Sequence, residues 1–525
     1  MNRPRRMRTE LAPDARTMAR GAAVNVGGAL TTTALSFALS LLITHNIRAH
    51  AFGLYAIALA TVLLAQVPAT LGLDVGAVRF VALRASEGDE EGARGSLQAA
   101  LAVVALVSAA LTLLIYWQAP WLAGTFFRKP GGTHLIRLVA LSLPALALTR
   151  VAIGGLQGLG VMRYAAVLNP IRVALNILVA APLLLLGYSV NALAAAFLVT
   201  CWATLLVSGG LVASALPRAF SPVPRAWRLR ALLRFSLPQT FTSLLLQTIL
   251  WTDTILVGRL RTAAEVAVYT IVQRLLSPAQ TVSTSTGQMF APRIAAEDAK
   301  AVARMNRATS QTASQATPQG DRATLGEMLK RVTYWNVSLS IPVFGLLLLV
   351  PGPLLHLFGA GYSTGATALA ILAAGQLFNA ATGPLGQVIN MSGRPYVTLA
   401  NNAAVAALNI VGCVILIPRY GINGAACSTT ASITLVNLVK LVQVRFLFGI
   451  NPFRAETVRA LAAGLVAVGA AAPIVLLVSW PSALVEVAVA TLIVLPLYAV
   501  VFWVSARPPA ESGRRGPGAV TAARS

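Results

Sequence analysis

Six ionisable residues lie inside long apolar runs of this sequence: Arg150, Arg172, Arg274, Lys440, Asp253 and Asp74. A charged side chain at the centre of a bilayer-spanning helix costs roughly 3 kcal/mol on insertion scales, so each needs a reason to be there. Four cations against two acids make the embedded charge net positive. Cations held in low dielectric form strong charge-assisted pairs with phosphate and with acidic sugars. The expected substrate-binding cations are therefore Arg274, Arg150, Arg172 and Lys440, with Asp253 and Asp74 as ion-pair partners or coupling carboxylates. Arg274 has polar neighbours in Gln273, Ser277 and Gln280, which favours a cavity. The competing explanation is snorkelling, in which a long stem carries its charge to the headgroups. It suits Arg79 and Arg293, which sit at equivalent helix ends, and Arg172 and Lys440 can also follow it part-way. Amides such as Gln239, Gln247, Gln387, Asn379, Asn401 and Asn409 can contact sugars, but amides in membrane helices more often bridge neighbouring helices.

Other chemistries find no residues to carry them. The chain has no HExxH, GxSxG or Walker sequence, and Gly154, Gly155 and Gly158 have no preceding strand to make a nucleotide loop. The three cysteines, Cys201, Cys413 and Cys427, fall within apolar runs without CxxC spacing and read as small core residues. No enzyme, cofactor or metal is expected. A net charge of +25 invites nucleic acid, but the basic residues cluster in short loops between apolar runs, which is a topology signal.

The elements that must hold these charges are membrane helices. Of 525 residues, 57% are hydrophobic and 11% charged, with mean hydropathy +0.73. Soluble domains carry roughly 25% charged residues. Apolar runs of about 20 residues, the length that spans a bilayer, recur throughout. The pattern predicts an all-α polytopic membrane protein of about 14 transmembrane helices. A basic tail (1–20) precedes a six-helix lobe (21–215); a basic connector (216–235) leads to a second six-helix lobe (236–447). A helix pair (458–505) and a tail (506–525) follow. The Ala49-His50-Ala51 triplet resembles a signal cleavage site, but the run before it is too long and Thr-rich, so it is expected to stay as the first helix. Lys and Arg concentrate in the N-terminal tail, the connector, the 297–330 loop and the C-terminal tail, which predicts both termini in the cytoplasm.

The two lobes echo each other. Gly160-Val161-Met162-Arg163-Tyr164, Asn176 and Asn191 recur as Gly393-Arg394-Pro395-Tyr396, Asn409 and Asn423, offset by 232 to 233 residues. Tyr55 and Arg79 recur as Tyr269 and Arg293, offset by 214. Such a chain is a duplicated unit. Together with Phe52-Gly53-Leu54-Tyr55, Leu71-Gly72-Leu73, Met391-Ser392-Gly393-Arg394-Pro395 and Pro418-Arg419-Tyr420-Gly421-Ile422-Asn423-Gly424-Ala425, this arrangement resembles polysaccharide flippases of the multidrug/oligosaccharidyl-lipid/polysaccharide exporter superfamily, from about residue 20 to 505. The resemblance implies two helical bundles forming a V around a central cavity. It implies an inner-membrane flippase that moves undecaprenyl-diphosphate-linked oligosaccharide, a polysaccharide or lipopolysaccharide precursor, to the outer leaflet by alternating access. The implied partners are this lipid-linked substrate, membrane lipid and polysaccharide synthesis enzymes. An organic-cation exporter of the same superfamily would want deep acids, which are scarce here. A membrane polymerase or ligase would resemble chains with a large outer loop, and those near 119–134 and 351–363 are short.

The charge asymmetry generates a test of topology. In intact cells, single cysteines placed in the 297–330 loop should resist an impermeant thiol reagent, whereas cysteines at Gly359 or Gly361 should react. Labelling of the long loop would reverse the orientation.

Overall fold

The computed structural model describes residues 15–216, 219, 221, 229–281, 318–391, 395–449 and 455–506. Arg293, half of the basic connector, most of the 297–330 loop, the Ser392-Gly393-Arg394 motif, residues 1–14 of the N-terminal tail and residues 507–525 of the C-terminal tail lie outside the described residues. The described chain opens with α1 (Ala15–Asn46), α2 (Ala49–Thr70), α3 (Leu73–Ser86) and α4 (Glu90–Trp121). After a π-turn (Leu122–Phe126) come α5 (Thr133–Ala140), α6 (Leu143–Gly158), α7 (Met162–Leu185) and α8 (Val190–Ala215). The second half holds α9 (Leu229–Leu260) and α10, seen from 263 to 281. Then follow α11 (Pro318–Leu349), α12 (Pro351–His356), α13 (Ala366–Thr382), α14 (Leu385–Met391), α15 (Pro395–Phe448), α16 (Ala455–Leu477) and α17 (Ala483–Ala506).

Twelve stretches among the described residues are long and apolar enough to cross a membrane. One of them, Tyr396–Leu447, has 52 residues and would run about 78 Å as a straight helix, against a hydrocarbon core of about 30 Å. Gly421, at φ 59° and ψ −137°, breaks it into two arms, as the Tyr-Gly-Ile-Asn-Gly sequence leads one to expect. Large apolar side chains stand exposed along α4, α8, α16 and α17, among them Leu113, Leu206, Leu465, Leu477 and Leu492. That is the surface lipid requires. Where α4 begins near a polar turn, Asp89 accepts the Gly92 backbone N–H at 2.7 Å, with Glu90 and Glu91 in the first turn to complement the helix dipole.

The structure corrects several expected boundaries. The run at 54–83 is not one helix: Leu71 (φ 48°) and Gly72 (φ 65°) are left-handed and separate α2 from α3. The run at 135–159 is divided between α5 and α6, with a proline in the first turn of α6. The run at 364–391 breaks at Gly383 (φ 76°), directly before Pro384. Hydropathy carries across all three breaks because apolar residues continue through them; backbone conformation does not.

In the first lobe α1 packs on α7 and α3 on α4 and α6; in the second, α15 packs on α9 and α13, and α11 on α13. The C-terminal pair lies against α11. Between lobes the main seam runs where α2 and α3 pack along α9. Glycines set its closeness: a Cβ on Gly53 would overlap the Ala263 carbonyl, and Cβ atoms on Gly72 and Gly76 would strike Ser236. The seam thus brings backbone against backbone at both ends of α9.

That closeness makes Gly53 sensitive to size. Gly53→Val should destabilise by about 1–3 kcal/mol through overpacking, seen as a lower unfolding temperature in detergent. Gly210→Ala, where an added Cβ meets nothing within 4 Å, should be close to neutral.

Candidate functional site

Away from the seam the lobes part around a cleft with two adjoining compartments. The first, about 320 Å³, is walled by α1 (Ser36, Phe37), α2 (Tyr55), α7 (Arg172, Asn176), α8 (Phe197), α9 (Trp251) and α10 (Arg274, Ser277). The second, about 380 Å³, is walled by α2, α6 (Arg150), α9 (Gln247, Trp251, Thr254) and α10 (Thr270, Gln273, Arg274, Gln280). Tyr55, Leu59, Leu63, Trp251, Arg274 and Ser277 belong to both walls. Ligand pockets run from roughly 300 to 1,000 Å³, so together the compartments hold a substantial ligand.

Three expected cations meet here. Arg150 and Arg172 come from the first lobe, Arg274 from the second, and among the described residues the walls include no carboxylate. Arg274 is eleven residues along α10, about 16 Å into the structure. It bridges the lobes by donating to the Ser40 hydroxyl of α1. One of its five N–H groups serves that bond, and the guanidinium keeps donors for a ligand. Tyr55 and Phe197 line the first compartment edge to face, with centroids 6.5 Å apart.

Lys440 does not join them. It lines neither compartment; its ammonium lies 3.7 Å from the place a Cβ on Gly386 would occupy, so it faces α14. Hydropathy reports a residue's depth, not its side of the helix, and the second arm of α15 turns Lys440 away. Asp74 also lies elsewhere, in the first turn of α3, where a helix N-terminus favours an acid.

Asp253 is fully enclosed (1% exposed), and the ion pair considered for it is replaced by a cage of neutral groups. Its Oδ1 accepts from the Asn409 amide at 2.8 Å and its Oδ2 from the hydroxyls of Tyr269 (2.9 Å) and Thr429 (2.6 Å). The Cys413 thiol lies 3.6 Å from Oδ1. α9, α10 and both arms of α15 thereby converge on one carboxylate. Tyr269, Thr429 and Cys413 were not foreseen as its partners, although the Tyr55–Tyr269 repeat marked one of them. Other amides behave as bridges: Asn401 and Gln443 exchange bonds of 2.7 and 3.0 Å, and Asn437 donates to Asn379 at 2.8 Å. Cys201 and Cys413 are buried, but Cys427 is exposed. Arg79, expected at a helix end, instead lies midway along α3, over the Phe235 ring at 4.3 Å.

One end of the cleft is closed by reciprocal contacts. Lys129, after the π-turn of the first lobe, donates to the Gly258 carbonyl near the end of α9 and to the Phe127 carbonyl. Arg259 donates back to the Phe126 carbonyl and lies over the Phe126 ring. Phe37 of α1 packs edge-on to Phe358, centroids 5.2 Å apart. Burial pushes the Lys129 ammonium below the usual lysine range, opposed by nearby Glu265. Burial would raise the Glu265 carboxyl, but hydrogen bonds from Arg261 and Thr262 outweigh it and hold the group below its usual range.

Two lobes of membrane helices joined along a seam, with a charged cleft between them, define a transporter architecture. The chain belongs to the polysaccharide biosynthesis protein family, whose profile matches residues 18–296, just over half the chain; the MatE family profile matches residues 301–415. No curated protein matches it in sequence. Among solved structures, the lipid II flippase MurJ in an inward closed conformation is 12% identical with TM-score 0.70, covering 93% of this chain and all of that one. An inward-facing multidrug resistance MATE family transporter of the MOP superfamily is 16% identical with TM-score 0.61, covering 82% of this chain and 98% of that one. A MOP superfamily transporter from Pyrococcus furiosus is 17% identical with TM-score 0.54, covering 82% and 95%. The fold is thus that of MOP superfamily flippases and transporters.

Two cation-to-carbonyl contacts hold the closed end, each worth about 1.5–3 kcal/mol as a hydrogen bond to a charged group. In the Lys129→Met/Arg259→Met double variant, spin labels at Gly131 and Thr262 should show a longer-distance population enriched at least about tenfold. An unchanged distance distribution would count against the latch.

Proposed function

We propose that this protein is a flippase for a diphosphate-linked glycolipid, of the undecaprenyl-diphosphate oligosaccharide class that feeds polysaccharide assembly. The observation that carries this reading is the meeting of Arg150, Arg172 and Arg274 in one cleft whose walls hold no carboxylate among the described residues. Uncompensated guanidinium groups in an apolar interior have an unfavourable resting state. An entering diphosphate relieves it with bidentate, charge-assisted bonds. The same cleft disfavours organic cations, because like charge meets them and Asp253 is sealed behind its donors. Family membership points the same way.

Transport in this reading is alternating access about the α2–α3/α9 seam. On the charge asymmetry of the loops we read the latched end as the outer one, which leaves the opposite end to take substrate from the cytoplasmic leaflet. Substrate phosphate competes with Ser40 for Arg274, loosening a bond between the lobes as it binds. We assign coupling to Asp253, whose cage spans three helices and would feel any change between them.

Arg274→Ala should abolish complementation of a flippase-deficient strain while leaving membrane abundance near normal. It should also weaken binding of a short-chain prenyl diphosphate by about 10- to 100-fold, as expected for one lost charged bond. Arg274→Lys should restore only part, since a point charge lacks the fork. Full transport by Arg274→Ala, or export of ethidium-like cations with lipid-linked sugar left on the inner leaflet, would overturn the reading.

A further inference from the structure

Asn176 lies one turn beyond Arg172 on α7 and lines the same compartment as Arg172 and Arg274. It is 6% exposed, and its Oδ1 has no hydrogen-bond partner among the described residues. A buried acceptor left unpaired costs about 1–3 kcal/mol, and such groups in native proteins call for an explanation.

The duplication shows what has been removed. In the second lobe the counterpart Asn409 has a satisfied oxygen: it accepts from Ser428 at 3.1 Å and from the Cys413 thiol at 3.3 Å, with the Thr429 hydroxyl, which donates to Asp253, 3.4 Å away. The offsets of 233 and 232 residues place Ala180, Ala196 and Phe197 at those three positions in the first lobe. None of their side chains can donate. The helices α1 and α9 are both 32 residues long and start 214 apart, which sets Leu39 against Asp253. The first lobe keeps the amide and has no side-chain donor at the three matching positions.

We infer that Asn176 reads the sugar: its amide oxygen accepts a hydrogen bond from a hydroxyl or acetamido N–H on the first sugar, while Arg172 and Arg274 hold the diphosphate. This rests on the function proposed above. In a glycosyl diphosphate the substituent at C2 adjoins the anomeric carbon that bears phosphate. Residues four apart on a helix have Cβ atoms about 5–6 Å apart, a separation that lets Arg172 take the phosphate and Asn176 the C2 donor. Phe197 and Trp251 supply flat apolar walls for the ring's C–H face.

The test uses the full-length protein in detergent with three probes: farnesyl diphosphate, its N-acetylglucosamine conjugate, and the conjugate of 2-deoxyglucose. The wild type should bind the acetamido sugar about 10-fold more tightly than the 2-deoxy sugar, the size of one buried hydrogen bond. Asn176→Leu should erase that preference and leave farnesyl diphosphate binding within about twofold, with an unfolding temperature no lower than wild type. As a second variant, Ala196→Ser gives Asn176 an internal donor like Ser428 and should reduce the preference with the amide still present. A preference that survives Asn176→Leu, or an equal loss for all three probes, overturns the role of Asn176. If the wild type binds none of the probes, the flippase reading falls with it; if it binds farnesyl diphosphate but ignores the C2 group, only the sugar-reading role falls.

Discussion

One electrostatic condition shapes the cleft: guanidinium charge on membrane helices with no carboxylate among the described lining residues. Arg150, Arg172 and Arg274 are the cations that share it. Left dry, such an arrangement is expensive; open to water or to an anion, it is a binding site. The lobes must therefore part around the arginines, apart from the Arg274–Ser40 bond that spans them, and be joined elsewhere. The glycine-lined approach of α2 and α3 to α9 supplies the second requirement, and the first follows from it, since contact along one side leaves the other free to gape.

Much of this was legible in the chain itself. Runs of about 20 apolar residues located the membrane helices, and the paired motifs located the duplication. Three of the four cations expected in the cavity line it. What hydropathy does not encode is direction around a helix axis or the angle of the backbone. Lys440 therefore faces α14 rather than the cleft, and the breaks at Leu71–Gly72 and Gly383 passed unseen. The glycines offered the one usable signal for those breaks, because positive φ is available to them at little cost. The neutral cage of Asp253 was hidden for another reason: its donors come from residues 16 to 176 positions away.

Duplication explains how one architecture holds two different interiors. Tyr269 serves the Asp253 carboxylate, whereas its counterpart Tyr55 faces the cleft against Phe197. Asn409 is enclosed by hydroxyls and a thiol, and Asn176, also buried, lines the cleft. Equivalent backbone positions thus carry a sealed polar centre in one lobe and an accessible, partly aromatic wall in the other. A symmetric ancestor would have had two of one kind. Divergence gave one lobe the acid and the other two of the three arginines.

The latch at the closed end has acceptors of an unusual sort for a contact between lobes. Both receiving groups, at Phe126 and Gly258, are main-chain carbonyls, which every amino acid possesses. Such a contact leaves no trace in paired substitutions across relatives, because nothing at the receiving position has to change when the donor does. Lys129 and Arg259 would look like independent conserved cations, and methods that infer proximity from correlated change would miss the joint that keeps the two halves together.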